Sequence, residues 1–367
     1  MSAMHRRTFI YGGLGALAAC TQIEEPREST GSTEQHRWRM VTSWPPNFPG
    51  HGTSANRLAE RLGALSGGRL EVEVFAAGEL VPAFEVLDAV SRGTIQLGHS
   101  APIYWRGKVP AAQLFGSVPF GMLPNEFNAW LYFGGGLELW QEAYAPHNVI
   151  PFPAGNTGTQ MGGWFNKEIN SADDLKGLKM RIPGLGGDVM AKLGASPVSI
   201  PGGQIYENLV SGAIDATEWV GPWNDRFMKF YEAAKYYYYP GMHEPGSMIS
   251  LGLNAKFWNG LSKADQAMIE AAAGLENDMM MAEYNAKSGE ALADLVKNQG
   301  VKLRKFNDDV YDSFKEASDA VFEGVRAHSP LAAKIHASFL KSRADLSAWS
   351  KISDQAYVAQ RNRALGV

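Results

Sequence analysis

The chain has 367 residues, 45% hydrophobic and 20% charged, with a formal net charge of −4, the make-up of a soluble globular protein with room for two domains. No basic stripe points to nucleic acid, and a single cysteine excludes internal disulfides and CxxC zinc or redox sites.

The first 20 residues read as an export signal. "MHRRTFIYGGLGALAAC" pairs a basic Arg6-Arg7 with a short apolar run, too short to span a bilayer comfortably. Arg6-Arg7 before Thr8-Phe9-Ile10 has the look of a twin-arginine signal, and Leu17-Ala18-Ala19-Cys20 that of a bacterial lipobox, with Cys20 carrying lipid. Residues 21–36 form a polar tether with too little apolar surface to fold. The folded part is thus expected outside the cytoplasmic membrane, in the periplasm.

From residue 38, "WRMVTSW" predicts a strand, "GTSANRLAERLGALSGG" a helix stopped by Gly67-Gly68, and "RLEVEVF" a second, alternating strand. "PAFEVLDAVSRGTI" predicts another helix and "IQLGHSAPIYW" a third strand running into a loop. Strands alternating with helices imply a parallel sheet with crossover helices. A second α/β unit follows: strands at 159–166 and 178–182, a helix in "GGDVMAKLGA", an extended "SPVSIP", a helix in "GQIYENLVSGAI", and "DATEWVGP" returning to an edge or cleft. The aromatic run "KYYYYPGMHEPG" reads as an extended segment crossing between the domains, with its rings chiefly packing. After Ser262, a plausible cap with Asp265 three residues on, the chain turns helical to about Asn298, and again over 308–327 and 331–363. The expected division is therefore a signal peptide at 1–20, a tether at 21–36, lobe I at 37–155, lobe II at 156–250, and a helical segment at 251–367 that braces the lobes.

Catalytic signatures are missing from this pattern. There is no HExxH, no GxxxxGK[ST] and no cysteine nucleophile. "GLGGDV" at 184–189 does not complete a dinucleotide motif, and "GHSAP" offers Ser100 as a cleft hydroxyl rather than a nucleophile. Binding in a crevice at the carboxyl ends of strands is the default expectation. Within "LKGLKMRIPG", Arg181 is either a solvated residue of a sheet or a cation held at a strand end, where a guanidinium matches a carboxylate with parallel donors.

Taken together, "GGWFNKEINSADDLKGLKMRIPG", "GGQIYENLVSGAIDATEWVGP" and "LSKADQAMIEAAA" make the chain resemble the solute-binding proteins of tripartite ATP-independent periplasmic (TRAP) transporters. "SAPIYWRGKVPAAQLFGSVPFG" and "YYYYPGMHEPGS" resemble the branch that binds 2-oxo acids or lactate. The resemblance implies an α/β, two-lobed periplasmic-binding-protein fold with a ligand cleft between the lobes and long C-terminal helices. It implies a binding protein rather than an enzyme. Arg181 would form the salt bridge to a small 2-oxo or 2-hydroxy monocarboxylate. Gln160, Glu218 and the backbone carbonyl of Trp219 would hold a Na⁺ or Ca²⁺ that bridges protein and ligand, a hard ion suited to oxygen donors. Glu244, or else His243, would complete that shell; Asn156, Tyr104, Gln160 and His243 would bond the ligand, and Trp105 and Trp219 would wall it. The implied partners are the carboxylate, the TRAP membrane permease, and a second copy of the chain through the C-terminal helix from Leu331. An exported metal-assisted enzyme acting on a small carboxylic acid is the alternative reading; it lacks a motif for an activated water or base.

Overall fold

The computed structural model describes residues 35–366; the expected export signal, Cys20 and all but the last two residues of the expected tether lie outside them. The chain begins with β1 (His36–Thr42), α1 (His51–Leu65), β2 (Leu70–Phe75), α2 (Val86–Ser91) and β3 (Leu97–Ser100). β1 pairs in parallel with both β2 and β3, as βαβ units require. β3 is buried along its whole length, so both of its faces are covered.

Next come α3 (Pro124–Phe133), α4 (Gly136–Tyr144) and β4 (Val149–Asn156), which sequence periodicity did not single out. Their hydrophobic residues build a core in which Phe115 is stacked between Trp130 and Trp140, 5.5 Å from each. Burying one such ring contributes roughly 1.5–3 kcal/mol.

The chain continues with β5 (Gly163–Phe165), β6 (Lys179–Arg181), α5 (Gly184–Lys192), β7 (Ser196–Val198), α6 (Ile205–Val210), β8 (Ala216–Thr217), α7 (Pro222–Phe227), α8 (Phe230–Ala233) and β9 (Tyr236–Tyr239). The C-terminal part adds β10 (Met248–Asn254), α9 (Ala255–Asn259), α10 (Lys263–Asn298), β11 (Lys302–Lys305), α11 (Asp308–His328), α12 (Pro330–Ile352) and α13 (Asp354–Leu365).

Two sheets result, ordered β2-β1-β3-β10-β4 and β11-β9-β5-β8-β6-β7. Neither is purely parallel, contrary to the alternation of strands and helices. β10 runs antiparallel to β3 and β4, and β5 antiparallel to β8 and β9. β10 enters the first sheet directly after β9 of the second, with no crossover helix to set its direction. It also spans residue 250, the expected end of lobe II.

α10 is 36 residues long, about 54 Å. Ser262 caps it as its sequence suggests, the hydroxyl accepting from Asp265 N at 3.1 Å. The helix packs on β4 and α1 and on α7. Glu276, fully buried on α10, accepts from Arg57 and Arg61 of α1 at 2.6 and 2.8 Å, which satisfies a carboxylate that would otherwise be costly to bury. The helix expected over 331–363 breaks at Ser353, whose ψ of −96° separates α12 from α13. No described helix is long and apolar enough to cross a membrane.

Candidate functional site

β6 and β8 are parallel neighbours, with Arg181 opposite Thr217. One residue past β8, Glu218 N donates to the Arg181 carbonyl at 3.1 Å. This register brings the Arg181 and Glu218 side chains together at the carboxyl ends of two strands. Pro183 then stops β6 and caps α5. Arg181 is only 1% exposed, so it is no solvated residue of a sheet. Its Nη1 donates to Glu218 Oε1 at 2.5 Å and to the Glu218 carbonyl at 3.1 Å, and Nε donates to the Ile200 carbonyl at 3.1 Å. Nη2 is buried without a partner. The expected pair of parallel donors to a ligand is thus reduced to one free nitrogen, because the pair's own carboxylate takes the other.

The guanidinium lies 5.0 Å from the centre of the Trp219 ring. A side chain at residue 202 would run into that ring, with Cβ 2.6 Å from Cη2, so Gly202 makes room for the outer edge of the indole. Arg181, Glu218 and Trp219 line a small cavity of about 300 Å³ of atom-free space, together with Tyr104, Gln160 and Glu244. Gln160 Nε2 donates to Thr157 Oγ1 at 2.9 Å, while Gln160 Oε1 and Trp219 Nε1 are buried without partners. Buried polar atoms are nearly always paired, so three orphans on one small cavity mark a place built for something that pairs them. A wider hollow of about 1690 Å³ opens elsewhere, along residues such as Trp38, Arg92 and Lys256, but none of its lining side chains carries such an orphan.

Behind the wall, His243 Nε2 stands 3.4 Å from Glu218 Oε2, and ligating atoms of Glu218, His243 and Glu244 lie within 4.8 Å of one another. Burial and the charge of Glu218 push the Glu244 carboxyl up to about 7. Burial alone would lower the His243 imidazole, but Glu218 and Glu244 outweigh it and hold its pKa above the ordinary value. Burial pushes the Tyr104 phenol up to about 12, so it stays a neutral donor.

Other expected site residues sit elsewhere. Asn156 ends β4, buried, with Oδ1 accepting from Gly158 N at 2.9 Å and Nδ2 unpaired, but it does not line the cavity. Trp105 does not wall the cavity; it is buried in the core, 6.3 Å from the Tyr144 ring, because the turn after Pro102 directs it inward. Ser100 shares a hydrogen bond of 2.6 Å with Ser43 and does not line the cavity either.

Sequence reasoning missed Trp44 and His51, which complete the wall, and His99 behind them. The Trp44 indole donates to His99 Nδ1 at 2.8 Å, and His99 Nε2 meets the Ala154 carbonyl at 3.2 Å. The rings of Trp44 and His51 pack with centroids 4.3 Å apart. His51 Nδ1 lies 2.7 Å from the Tyr284 hydroxyl, which bonds Asn224 Oδ1 at 2.5 Å, and Asn224 Nδ2 donates to the Pro49 carbonyl at 2.9 Å. Gly50, at φ 76°, precedes His51, and a Cβ there would collide with the Tyr284 ring. The one available signal was a Pro- and Gly-rich loop, "WPPNFPGH", carrying a Trp and a His between a strand and a helix.

The model of the bacterial extracellular solute-binding proteins, family 7, matches residues 40–327. The monocarboxylate 2-oxoacid-binding periplasmic protein of Nostoc sp. is 43% identical over 342 residues, 93% of each chain. The crystal structure of a TRAP periplasmic solute-binding protein from Pseudoalteromonas atlantica, with bound sodium and pyruvate, is 40% identical with a TM-score of 0.86, over 89% of this chain and 99% of that one. A counterpart from Colwellia psychrerythraea, with bound calcium and pyruvate, is 41% identical with a TM-score of 0.87, over 89% of this chain and all of that one.

Proposed function

The chain belongs to the bacterial extracellular solute-binding proteins, family 7, a family of substrate-binding receptors, and on that footing we propose that it captures a small 2-oxo or 2-hydroxy monocarboxylate for delivery to a TRAP membrane permease. The observation that carries this reading is the buried Arg181 guanidinium with Nη2 unpaired on a small cavity. A ligand carboxylate would accept from Nη2, a charge-assisted bond strengthened by burial. Tyr104 would donate to the ligand, and the Trp219 ring would limit its size. Asn156 and His243, set back from the wall, would support it rather than touch it.

A cation fits the residues present. Arg181 already balances Glu218, so an entering anion needs a further positive charge. The unpaired Gln160 Oε1 and the Glu218 and Glu244 carboxylates are oxygen donors suited to Na⁺ or Ca²⁺, with the Trp219 carbonyl as a fourth. Such an ion would supply the missing charge and a chelating centre for a carboxylate oxygen and its C2 neighbour. Two relatives carry pyruvate with sodium or with calcium.

Each sheet with its helices would act as one lobe, closing over the ligand as two-domain binders do. Capture needs affinity only, so we read the chain as a receptor and not as an enzyme. Anchoring through Cys20 and export by the Arg6-Arg7 signal complete the proposal. So does a homodimer through the C-terminal helix, supported by exposed Trp349, Ile352 and Tyr357 on α12 and α13.

Calorimetric titration with pyruvate in sodium- and calcium-containing buffer tests the reading. One-to-one saturable binding is expected, with the acid recovered unchanged by NMR. No heat from any short 2-oxo or 2-hydroxy acid would overturn capture, and turnover of the acid would favour an enzyme.

A further inference from the structure

A chain of hydrogen bonds that starts at a backbone carbonyl decides the protonation of His51. The Pro49 carbonyl can only accept, so Asn224 must present Nδ2 to it and turn Oδ1 toward Tyr284. Tyr284 has one proton, and Oδ1 takes it. The Tyr284 oxygen therefore has none left for His51, 2.7 Å away, and His51 Nδ1 must carry the hydrogen. The ring is buried against Trp44, Phe48, Trp219 and Tyr284 and no carboxylate among the described residues bonds it, so a charge there would be unpaired and the ring is neutral. A neutral imidazole protonated on Nδ1 has a bare lone pair on Nε2. Among the described residues no side chain bonds that nitrogen, and the ring forms part of the cavity wall.

The ring is also held in place. Trp44 packs on it, and Trp44 is itself fixed through His99 to the Ala154 carbonyl. Its centroid lies 5.7 Å from that of Trp219, the same ring that the Arg181 guanidinium covers at 5.0 Å. A ligand held by Arg181 in so small a space meets His51 as well.

A bare nitrogen repels the lone pairs of a keto or carboxylate oxygen and welcomes a hydroxyl proton. We infer that His51 Nε2 accepts the C2 hydroxyl proton of a 2-hydroxy monocarboxylate, so that the cavity holds an acid such as lactate more tightly than its 2-oxo analogue. This deepens the proposed function and rests on it.

The test is calorimetry on the mature chain with lactate, as each enantiomer, and with pyruvate, in one buffer of fixed sodium and calcium. One lactate enantiomer is expected to bind about tenfold more tightly than pyruvate, the effect of one hydrogen bond. His51→Phe, which keeps a ring against Trp44, should weaken lactate about tenfold more than pyruvate. Nitrogen-15 NMR of histidine-labelled wild-type protein, with His51 assigned from the variant's spectrum, provides a check independent of the variant's folding. The free protein should show the Nδ1-protonated tautomer, and lactate should shift the Nε2 resonance far more than pyruvate does. Pyruvate binding as tightly as lactate, equal losses in His51→Phe, or an Nε2-protonated tautomer would each overturn the inference alone. Binding of neither acid would bring down the proposed function and this inference with it.

Discussion

Arg181 and Glu218 are bound to each other twice, through the carboxylate and through the main-chain carbonyl of Glu218, while both side chains are 2% exposed. Removing one partner of such a pair strands the other. Arg181→Met should abolish binding of pyruvate and lactate and also lower stability by ~3–5 kcal/mol, the cost of an uncompensated buried charge. The double variant Arg181→Met/Glu218→Gln should recover much of the stability and none of the binding. Denaturant titrations beside calorimetry check both; near wild-type affinity in a folded Arg181→Met protein would remove Arg181 from the ligand.

Exhaustive chelation followed by exchange into sodium-free buffer should weaken pyruvate binding by at least about tenfold, or 1.4 kcal/mol. Gln160→Leu, which deletes the unpaired Oε1, should reproduce much of that loss with cations present. Unaltered affinity after cation removal would eliminate the ion from the site.

His99 gives the fold a pH dependence whose sign is set by its burial. Burial lowers its pKa to about 4, against smaller pulls from the Ala154 carbonyl and Glu276. Protons therefore bind the unfolded chain first, near pH 6.5, and the folded chain only near pH 4. The stability tied to a neutral His99 is present above pH 6.5 and is lost as the pH falls toward 4, by ~3 kcal/mol. Glu244, pushed up to about 7, acts in the opposite sense over an overlapping range, so the measured quantity is a difference. Stability of the wild type minus that of His99→Gln should fall from pH 6.5 to 4; a flat difference would mean that His99 protonates equally in both states.

Gly50→Ala should cost about 1–3 kcal/mol, since it combines a left-handed φ with a methyl driven into Tyr284. Pairing it with Tyr284→Phe removes the nearest clashing atom, the hydroxyl, but leaves ring carbons 2.6 Å away, and should relieve the loss only in part. Thermal unfolding of the three variants reads this directly, and a neutral Gly50→Ala would show that the loop moves freely.

Much of the fold was legible where a segment carries its own pattern. β1, β2 and α1 follow from alternation and helical spacing, and the α10 start follows from Ser262 and Asp265. β10 was not legible, because its place in the first sheet depends on partners roughly 100–150 residues earlier, and β4, buried on both faces, shows no alternation. At the site, the residue types at 160, 181, 218 and 244 were readable through the family resemblance, but their mutual pairing was not. The extra bonds of Arg181 to Glu218 and Ile200 arise from strand register, which no local pattern encodes. His51 and His99 escaped notice because a lone histidine has no spacing to read; their roles come from Trp44, Tyr284 and Asn224, up to 233 residues away.

Of the ten tryptophans in the chain, Trp44 and Trp219 stand in the cavity wall, one bonded to a histidine and the other facing a guanidinium. Indole emission responds to the charges and quenchers beside it, so the molecule contains an optical gauge of its own occupancy. Changes of emission on adding an acid, traced to one or other indole by Trp→Phe exchange, would follow filling of the site in real time without any attached dye.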